Sequence, residues 1–447
     1  MIIEQTTLYN EVMEAFSGGA KPAHYLYGAV FEIEGALIEP IKVDGLHIDR
    51  QYTSRYADAI MLYVTFPLGK FTKRVYPFKD SIRVTLNRTP QGEVTPHVNY
   101  EHNITSQGYR AILVDKGDMG LEGNIPTMTD EEDADRAGFI NVQFQLLDEG
   151  LEYIRLKTTG GILRNENPGN ALKTLLTSES INLPHSIESK IRGVTMVEPD
   201  NKERRKHILI PPIPVVDLPN FIQKDCGGIY STGIGCYLQN GNWYIYPEYN
   251  TDRFETSRES LLIFNIPPQR LPHVERTYYV EGKSVHILST GDVKHADGSE
   301  VRQLNEGNGV RFTDPGKMLE GFGKTENNRT RIQRGEFNNE LKSSDRRTGL
   351  NNVRVSGDRF NSNVFYEYSK LASRKGEYLQ VTWQNSQPEL IKPGMPVRFY
   401  SYNREGLVKR DGVVVAAEHT ITVPNPGLKV SKHSCNSAVT VFLKRLK

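Results

Sequence analysis

The dipeptide Asn240-Gly241 lies between CYLQ and NWYIY, two runs dense in aromatic and aliphatic residues. Asn-Gly best tolerates the positive φ angles of a type I′ turn, so the pattern predicts a β-hairpin. A two-residue loop also sets the register, with Gln239 opposite Asn242, Leu238 opposite Trp243, Tyr237 opposite Tyr244 and Cys236 opposite Ile245. Side chains alternate across a strand. Cys236, Leu238, Trp243 and Ile245 therefore share one face, and Tyr237, Tyr244 and Tyr246 share the other. Tyrosine rings can lie against a neighbouring domain or subunit while their hydroxyls stay hydrogen-bonded. Tyr237, Trp243, Tyr244 and Tyr246 are accordingly the candidate interface residues. The alternative is that both faces cover core within the chain. The whole segment 211–254 is rich in glycine, proline and aromatics and holds no catalytic constellation, which points to surface-building.

At 447 residues the chain exceeds the size at which one core keeps growing, so two to four domains are expected. Its 55 basic and 54 acidic residues leave a formal charge of +1, giving no global reason for tight binding to nucleic acid or to an anionic membrane. With 38 glycines, 24 prolines and 22 tyrosines and few long apolar helical stripes, the composition favours strands and turns. The opening MIIEQTTLYNEVMEAFSGGA lacks a basic n-region and a continuous apolar run, so it is not read as a signal peptide. No window approaches the ~20 apolar residues of a membrane helix. The three cysteines, Cys226, Cys236 and Cys435, make no even framework and fit synthesis in a reducing compartment. A Cys226–Cys236 pairing stays open.

Along the chain, Leu8, Val12, Met13 and Phe16 recur at helical spacing, predicting an N-terminal helical arm that ends at Gly18-Gly19. Strands follow in VFEIEGALI, AIMLYVTFPL, DSIRVTLN, YRAILVD and GFINVQFQLL. In the last, Ile140, Val142, Phe144 and Leu146 share one face and Asn141, Gln143 and Gln145 the other, as a half-solvated sheet requires. A helical insert comes next: Asn167 caps it, Pro168 occupies its first turn, and Leu172, Leu175 and Leu176 form its apolar stripe. A second short helix is expected near 184–191, then the polar NKERRKHI. TYYV and SVHIL predict further strands. The stretch 321–352 has too few apolar residues to fold alone and reads as a solvated loop, or as a segment ordered by a partner. A helix carrying Val364, Phe365, Tyr368 and Leu371 precedes the strands EYLQVTWQ, MPVRFYSY, GVVVAAEHTIT and SAVTVFLKR. The expected class is mainly β, α+β overall, with a β module at each end.

Asp133, Asp135 and Gly138 imitate the start of a calcium loop, but Ala137 and Phe144 occupy ligand positions, which excludes an EF-hand. The eleven histidines form neither an H-E-x-x-H motif nor a C-x-x-C companion set. His433 and Cys435 can face one side of a strand without being a catalytic dyad. Gly227-Gly228 and Gly233-x-Gly235 lack the spacing and following helix of a phosphate loop. No catalytic, cofactor-binding or metal residue is assigned.

Three stretches resemble the baseplate or tail hub proteins of tailed bacteriophages, and the hub half of type VI secretion spike proteins is similar. They are RYADAIMLYVTFPLGKFTKRVYPFKDSIRVTLN, the segment from LPNFIQ to YIYPEYNTDRF, and YLQVTWQNSQPELIKPGMPVRFYSY. The resemblance covers most of the chain in order, as pattern and not as invariant motifs. It implies two β-barrel tube-type domains in one chain, so that a homotrimer presents six barrels in a ring joining a sixfold tube to a threefold spike. On that basis 1–24 is a helical arm, 25–156 the first tube-like barrel, 157–320 a mixed α/β insert bearing the aromatic hairpin, 321–359 a polar linker and 360–447 the second barrel. The implied partners are further copies of the chain, the tail tube protein, the central spike protein and other baseplate proteins. DNA or a tape-measure protein would pass through without sequence-specific contacts, and the site of action would be the virion tail tip, after assembly in the host cytoplasm. The chain lacks the appended hydrolase or spike modules of some hubs, so a separate spike protein is implied. Two competing readings are a carbohydrate-binding adhesin or distal tail component, and a peptidoglycan hydrolase.

Overall fold

The computed structural model describes residues 14–16, 24–91, 105–114, 138–183, 191–266, 277–290, 364–373, 375–403, 406–424 and 432–445, together with short strands between 294 and 354. The expected features of 1–13, the acidic run 130–135, the helix at 184–190 and most of the polar linker 321–359 lie outside the described residues.

The first β module is built by β1 (His24–Ile33), β2 (Ala36–Ile38), β3 (Lys42–Gln51), β4 (Ala59–Pro67), β5 (Arg83–Gln91), β6 (Thr105–Leu113) and β7 (Phe139–Asp148). Alternation works as expected in β7, where Phe144 and Leu146 are buried and Phe139 and Asn141 are exposed. Their partners across β4 continue the buried row, Leu62 opposite Phe144 and Ile60 opposite Leu146. Phe31, Phe66 and Phe144 meet at the centre, with Phe31 5.0 Å from Phe66 and 5.1 Å from Phe144 between ring centroids. Burying each such ring stabilises the fold by about 2–3 kcal/mol.

The insert adds the helix Glu149–Leu156, β8 (Thr158–Glu166), the helix Pro168–Ile181, β9 (Gly193–Met196), β10 (Arg205–Pro214), the helix Leu218–Asp225 and the hairpin β11 (Ile234–Gln239) and β12 (Asn242–Pro247). Asn167 caps its helix as predicted, its side chain accepting from the Asn170 N–H at 2.8 Å. NKERRKHI does not stay a loop. Its end begins β10, which pairs antiparallel with β8 as a two-stranded ribbon.

The remaining strands are β13 (Ser260–Ile266), β14 (Tyr278–Glu281), β15 (Ser284–Thr290), β16 (Lys294–Ala296), β17 (Gly309–Thr313), β18 (Thr325–Glu326), β19 (Arg329–Thr330), β20 (Asn339–Lys342) and β21 (Asn351–Arg354). After the helix Val364–Ala372 come β22 (Gly376–Trp383), β23 (Pro396–Asn403), β24 (Gly406–Thr422) and β25 (Ser434–Lys444). The C-terminal module is not assembled from the C-terminal strands alone. β13 pairs in parallel with β23 and with β15, and β14 extends this edge, so strands from the middle of the chain complete it.

Both modules belong to one 15-stranded sheet, and β24 is the strand that unites them. Along one edge, its first part pairs with β23, Pro396 opposite Val413, and its last part pairs with β3, Ala416 opposite Gln51. Along the other edge it pairs with β25 from Gly412 to Thr422. The register shifts between Val414 and Ala416, and the Val415 carbonyl accepts from the Tyr52 N–H at 3.1 Å instead. Such a bulge bends a strand, here where it leaves one module for the other.

Two closed barrels were expected, and the ladders among the described residues remain open. In the first module the path β1-β5-β6-β7-β4-β3-β24-β25 comes back on itself at an isolated bridge between Tyr25 and His433. The His433 N–H donates to the Tyr25 carbonyl at 2.9 Å, and its Nδ1 accepts from the Tyr27 N–H at 3.3 Å. Nε2 then carries the proton and donates to the Val43 carbonyl at 3.1 Å. An imidazole thus spans the seam where a backbone ladder would otherwise run. Two residues on, the Cys435 thiol accepts from the Ser386 hydroxyl.

Candidate functional site

The hairpin forms with the predicted register at every pair from Cys236–Ile245 to Gln239–Asn242. Asn240 and Gly241 take φ of 51° and 70°, the left-handed pair that the turn demands. The placement of its faces differs from an outward tyrosine surface. Trp243 and Ile245 enter the core of the insert, while Tyr237 and Tyr246 enter the core of the C-terminal module. Tyr237, Tyr246 and Trp243 are therefore interior, and the expectation that they face another subunit is corrected. Tyr244 is half-buried. Part of the reason lies far away in sequence: Gly394, with φ of 63°, and Gly235, the hairpin partner of Tyr246, flank its ring, where a Cβ on either would run into it. The Tyr246 hydroxyl donates to the Tyr52 carbonyl at 2.9 Å.

Beneath the hairpin the three units share a buried polar joint. Arg50, at the end of β3, donates from Nε to Asp58 at 3.0 Å and from NH1 to the Pro388 carbonyl at 2.6 Å. Asp58 also accepts from the Tyr237 hydroxyl at 3.0 Å. Glu389 lies 4.0 Å from Arg50 and 3.4 Å from Arg88, and Asn240 at the hairpin turn donates to it. Gln239 accepts from the Tyr52 hydroxyl at 3.3 Å and donates to the Ile391 carbonyl at 2.9 Å. The first module contributes Arg50, Asp58 and Arg88, the insert Tyr237, Gln239 and Asn240, and the C-terminal module Glu389 and its neighbours.

Charges here are set by enclosure and proximity. Burial works to raise the Glu389 carboxyl, but Arg50, Arg88 and the Asn240 amide outweigh it and hold it below the usual range. Burial pushes Asp58 up, with Arg50 and Tyr237 opposing. Arg50 stays cationic: burial disfavours its charge, and Asp58, Tyr52, Glu389 and Tyr237 together more than compensate. Burial and the adjacent Arg50 push His419 well down, so its ring is neutral. Since Arg50 NH1 donates to Nε2 at 3.3 Å, Nδ1 carries the proton and donates to Ser437. Ser437 in turn bonds Ser386. Sequence reasoning missed this joint. Arg50, Asp58, Arg88, Glu389 and His419 sit in ordinary strand or loop contexts, and only the unusual Asn-Gly tip of the hairpin marked its neighbourhood.

At the hairpin exit, burial pushes Glu248 from the ordinary 4.5 up to about 8, opposed by a hydrogen bond from Tyr249. The three cysteines are free. Burial pushes the Cys226 and Cys435 thiols up to about 11 and raises Cys236 as well, the opposite of what a reactive thiolate needs. Among the described residues no group of three or more His, Cys, Asp or Glu side chains is placed to hold a metal ion, and no helix is long and apolar enough to cross a membrane. The arrangement is mechanical: it fixes three units against one another.

No family model and no curated protein matches the chain. Among solved structures it is similar to the tail protein from Neisseria meningitidis MC58, at 11% identity over 93% of this chain and 96% of that one, with a TM-score of 0.47. It is similar to the 43 kDa tail protein of prophage MuSo2 from Shewanella oneidensis, at 9% identity over 93% and 98%, with a TM-score of 0.48. A third is the E. coli c3393 protein, a type VI secretion system component described as structurally similar to the bacteriophage T4 tail proteins gp27 and gp5, at 8% identity over 96% and 76%, with a TM-score of 0.37. The chain is thus similar, over most of its length, to phage tail proteins and to a type VI secretion component.

Proposed function

We propose that this chain is a structural hub of a phage-type tail tip, three copies of which form a ring that joins a sixfold tail tube to a threefold spike. The observation that carries the reading is the union of two β modules through β24 and the polar joint beside it. One chain that holds two such modules rigidly side by side presents two equivalent positions per copy, so a trimer offers six. Each module would serve as one tube-like barrel, and the tube, spike and other baseplate proteins would be its partners in the virion. The near-neutral charge suits a channel through which DNA, or a tape-measure protein, passes without sticking. The role is structural and not enzymatic.

The sugar-binding reading loses support, because aromatic rings on a β surface are what could stack on glycans and those of the hairpin are mostly interior. Native mass spectrometry of the full chain, followed by imaging of an intact tail tip, tests the hub reading. A trimer coaxial with the tube is expected. A chain found as a monomer on peripheral fibres would overturn it.

A further inference from the structure

We propose that an acidic groove on the first module receives the outer face of the β8–β10 ribbon from a second copy of this chain. This deepens the ring reading and rests on it. The groove, about 700 Å³, opens beside the β1–β2 turn and the helix Glu149–Leu156. Its walls hold five carboxylates and two arginines. Arg83 pairs with Glu149 and Arg110 with Glu152, which leaves Glu32, Glu34 and Asp80, all exposed, to give the groove its negative charge. Leu156 in its wall is 76% exposed, and Leu37, the β2 partner of Glu32, is 74% exposed outside the wall. β2, which carries Leu37, ends the strand path and so presents an unpaired edge among the described strands.

The ribbon is the chemical complement. Its two strands pair only with each other among the described strands. Cross-strand pairing sets Leu209 opposite Ile162 and His207 opposite Arg164. Ile162 is 59% exposed and Leu209 66%, although their neighbours Ile208 and Ile210 are buried in the insert core. Arg164 is exposed on their face opposite His207, Lys206 is exposed at the adjoining position of β10, and Arg204, just before β10, acts on Glu166. A ribbon of two strands with a wet aliphatic pair is marginal until something covers it. The groove thus sets Leu156, with Leu37 nearby, beside three exposed carboxylates, and the ribbon sets Ile162 and Leu209 beside Arg164, with Lys206 at the next position of β10, so the charges nearest the aliphatic side chains are opposite. Two different patches that recognise each other make a head-to-tail contact, the kind that closes into rings.

The test is a charge swap in the full chain, read by sedimentation velocity across a concentration series. One set is Glu32→Lys with Asp80→Lys; the other is Arg164→Glu with Lys206→Glu. All four positions are exposed, and circular dichroism checks that each variant folds. Either set alone should weaken association by about tenfold or more, and combining both sets in one chain should restore it. Ile162→Ser with Leu209→Ser should dissociate the ring without rescue by charge. Wild-type trimers unmoved by either set would overturn the docking surface while leaving the ring intact. Weakening without restoration would also overturn it, since the charges would then face something other than each other. A wild-type chain that stays monomeric throughout would overturn both readings.

Discussion

In the first module Phe31, Phe66 and Phe144 pack ring against ring, whereas Arg50, Asp58, Glu389 and His419 fill a less completely enclosed space with hydrogen bonds and ion pairs. The apolar core attracts without direction, so it stabilises the module but tolerates adjustment of its parts. The polar joint is directional and punishes any rearrangement that leaves a charge unpaired. The module is therefore held together by its interior, while its angle to the insert and to the C-terminal module is held by the joint. For a part that must present two modules in a fixed relation, that division of labour is apt.

The largest effect that would break this contrast is at Arg50. Arg50→Met should cost about 3–5 kcal/mol in chemical denaturation, because Asp58 and Glu389 lose their buried cation. Adding Asp58→Leu should recover part of that loss; no recovery would mean that the joint acts by packing alone. Next is Tyr246→Ser, expected to cost about 3 kcal/mol by emptying the space between Gly235 and Gly394, with no compensating partner change. If instead the variant keeps its stability and loses only association, the ring faces outward after all.

Glu248 sharpens the comparison through pH. Its folded carboxyl keeps its proton to higher pH than an unfolded one, so its contribution is full below about 4.5 and lost as pH rises through about 8. Glu248→Gln should remove that decline, leaving the variant more stable than wild type by about 1–2 kcal/mol at mildly alkaline pH, a figure reduced for its partial exposure to solvent. Equal slopes of stability against pH would remove Glu248 from the account. The smallest effect is expected at the turn, where Asn240→Ala should cost about 1 kcal/mol by forcing alanine to φ of 51° and by losing the donor to Glu389. Urea unfolding of the two turn variants Asn240→Ala and Asn240→Gly separates the contributions, since glycine keeps the backbone geometry and loses only the amide.

The register of β11 and β12, the cap at Asn167 and the alternation of β7 were legible because each depends on residues within a few positions: a left-handed turn pair, a side chain reaching the first free N–H groups, a pleat of period two. The missed elements fail that condition. β3, β8 and β10 carry weak or broken alternation, and β13 lies between turns in what read as insert. β10 takes in only the last part of NKERRKHI, from Arg205, which is buried, and the charged run before it hid the start of the strand. The joint escaped because Arg50 and Glu389 are 339 positions apart and no local pattern marks either of them.

By itself the sequence determined that a hairpin turns at Asn240-Gly241, which side chains share each of its faces, and that β structure dominates both ends of the chain. Only the tertiary structure decided that the tyrosine face points inward, that β24 serves both modules and that an arginine is buried where they meet. Turn angles and side-chain alternation are local properties of the backbone. Burial belongs to whatever distant segment comes to lie on a face, and here the segments around Tyr52, Gly394 and Val414 supply that cover.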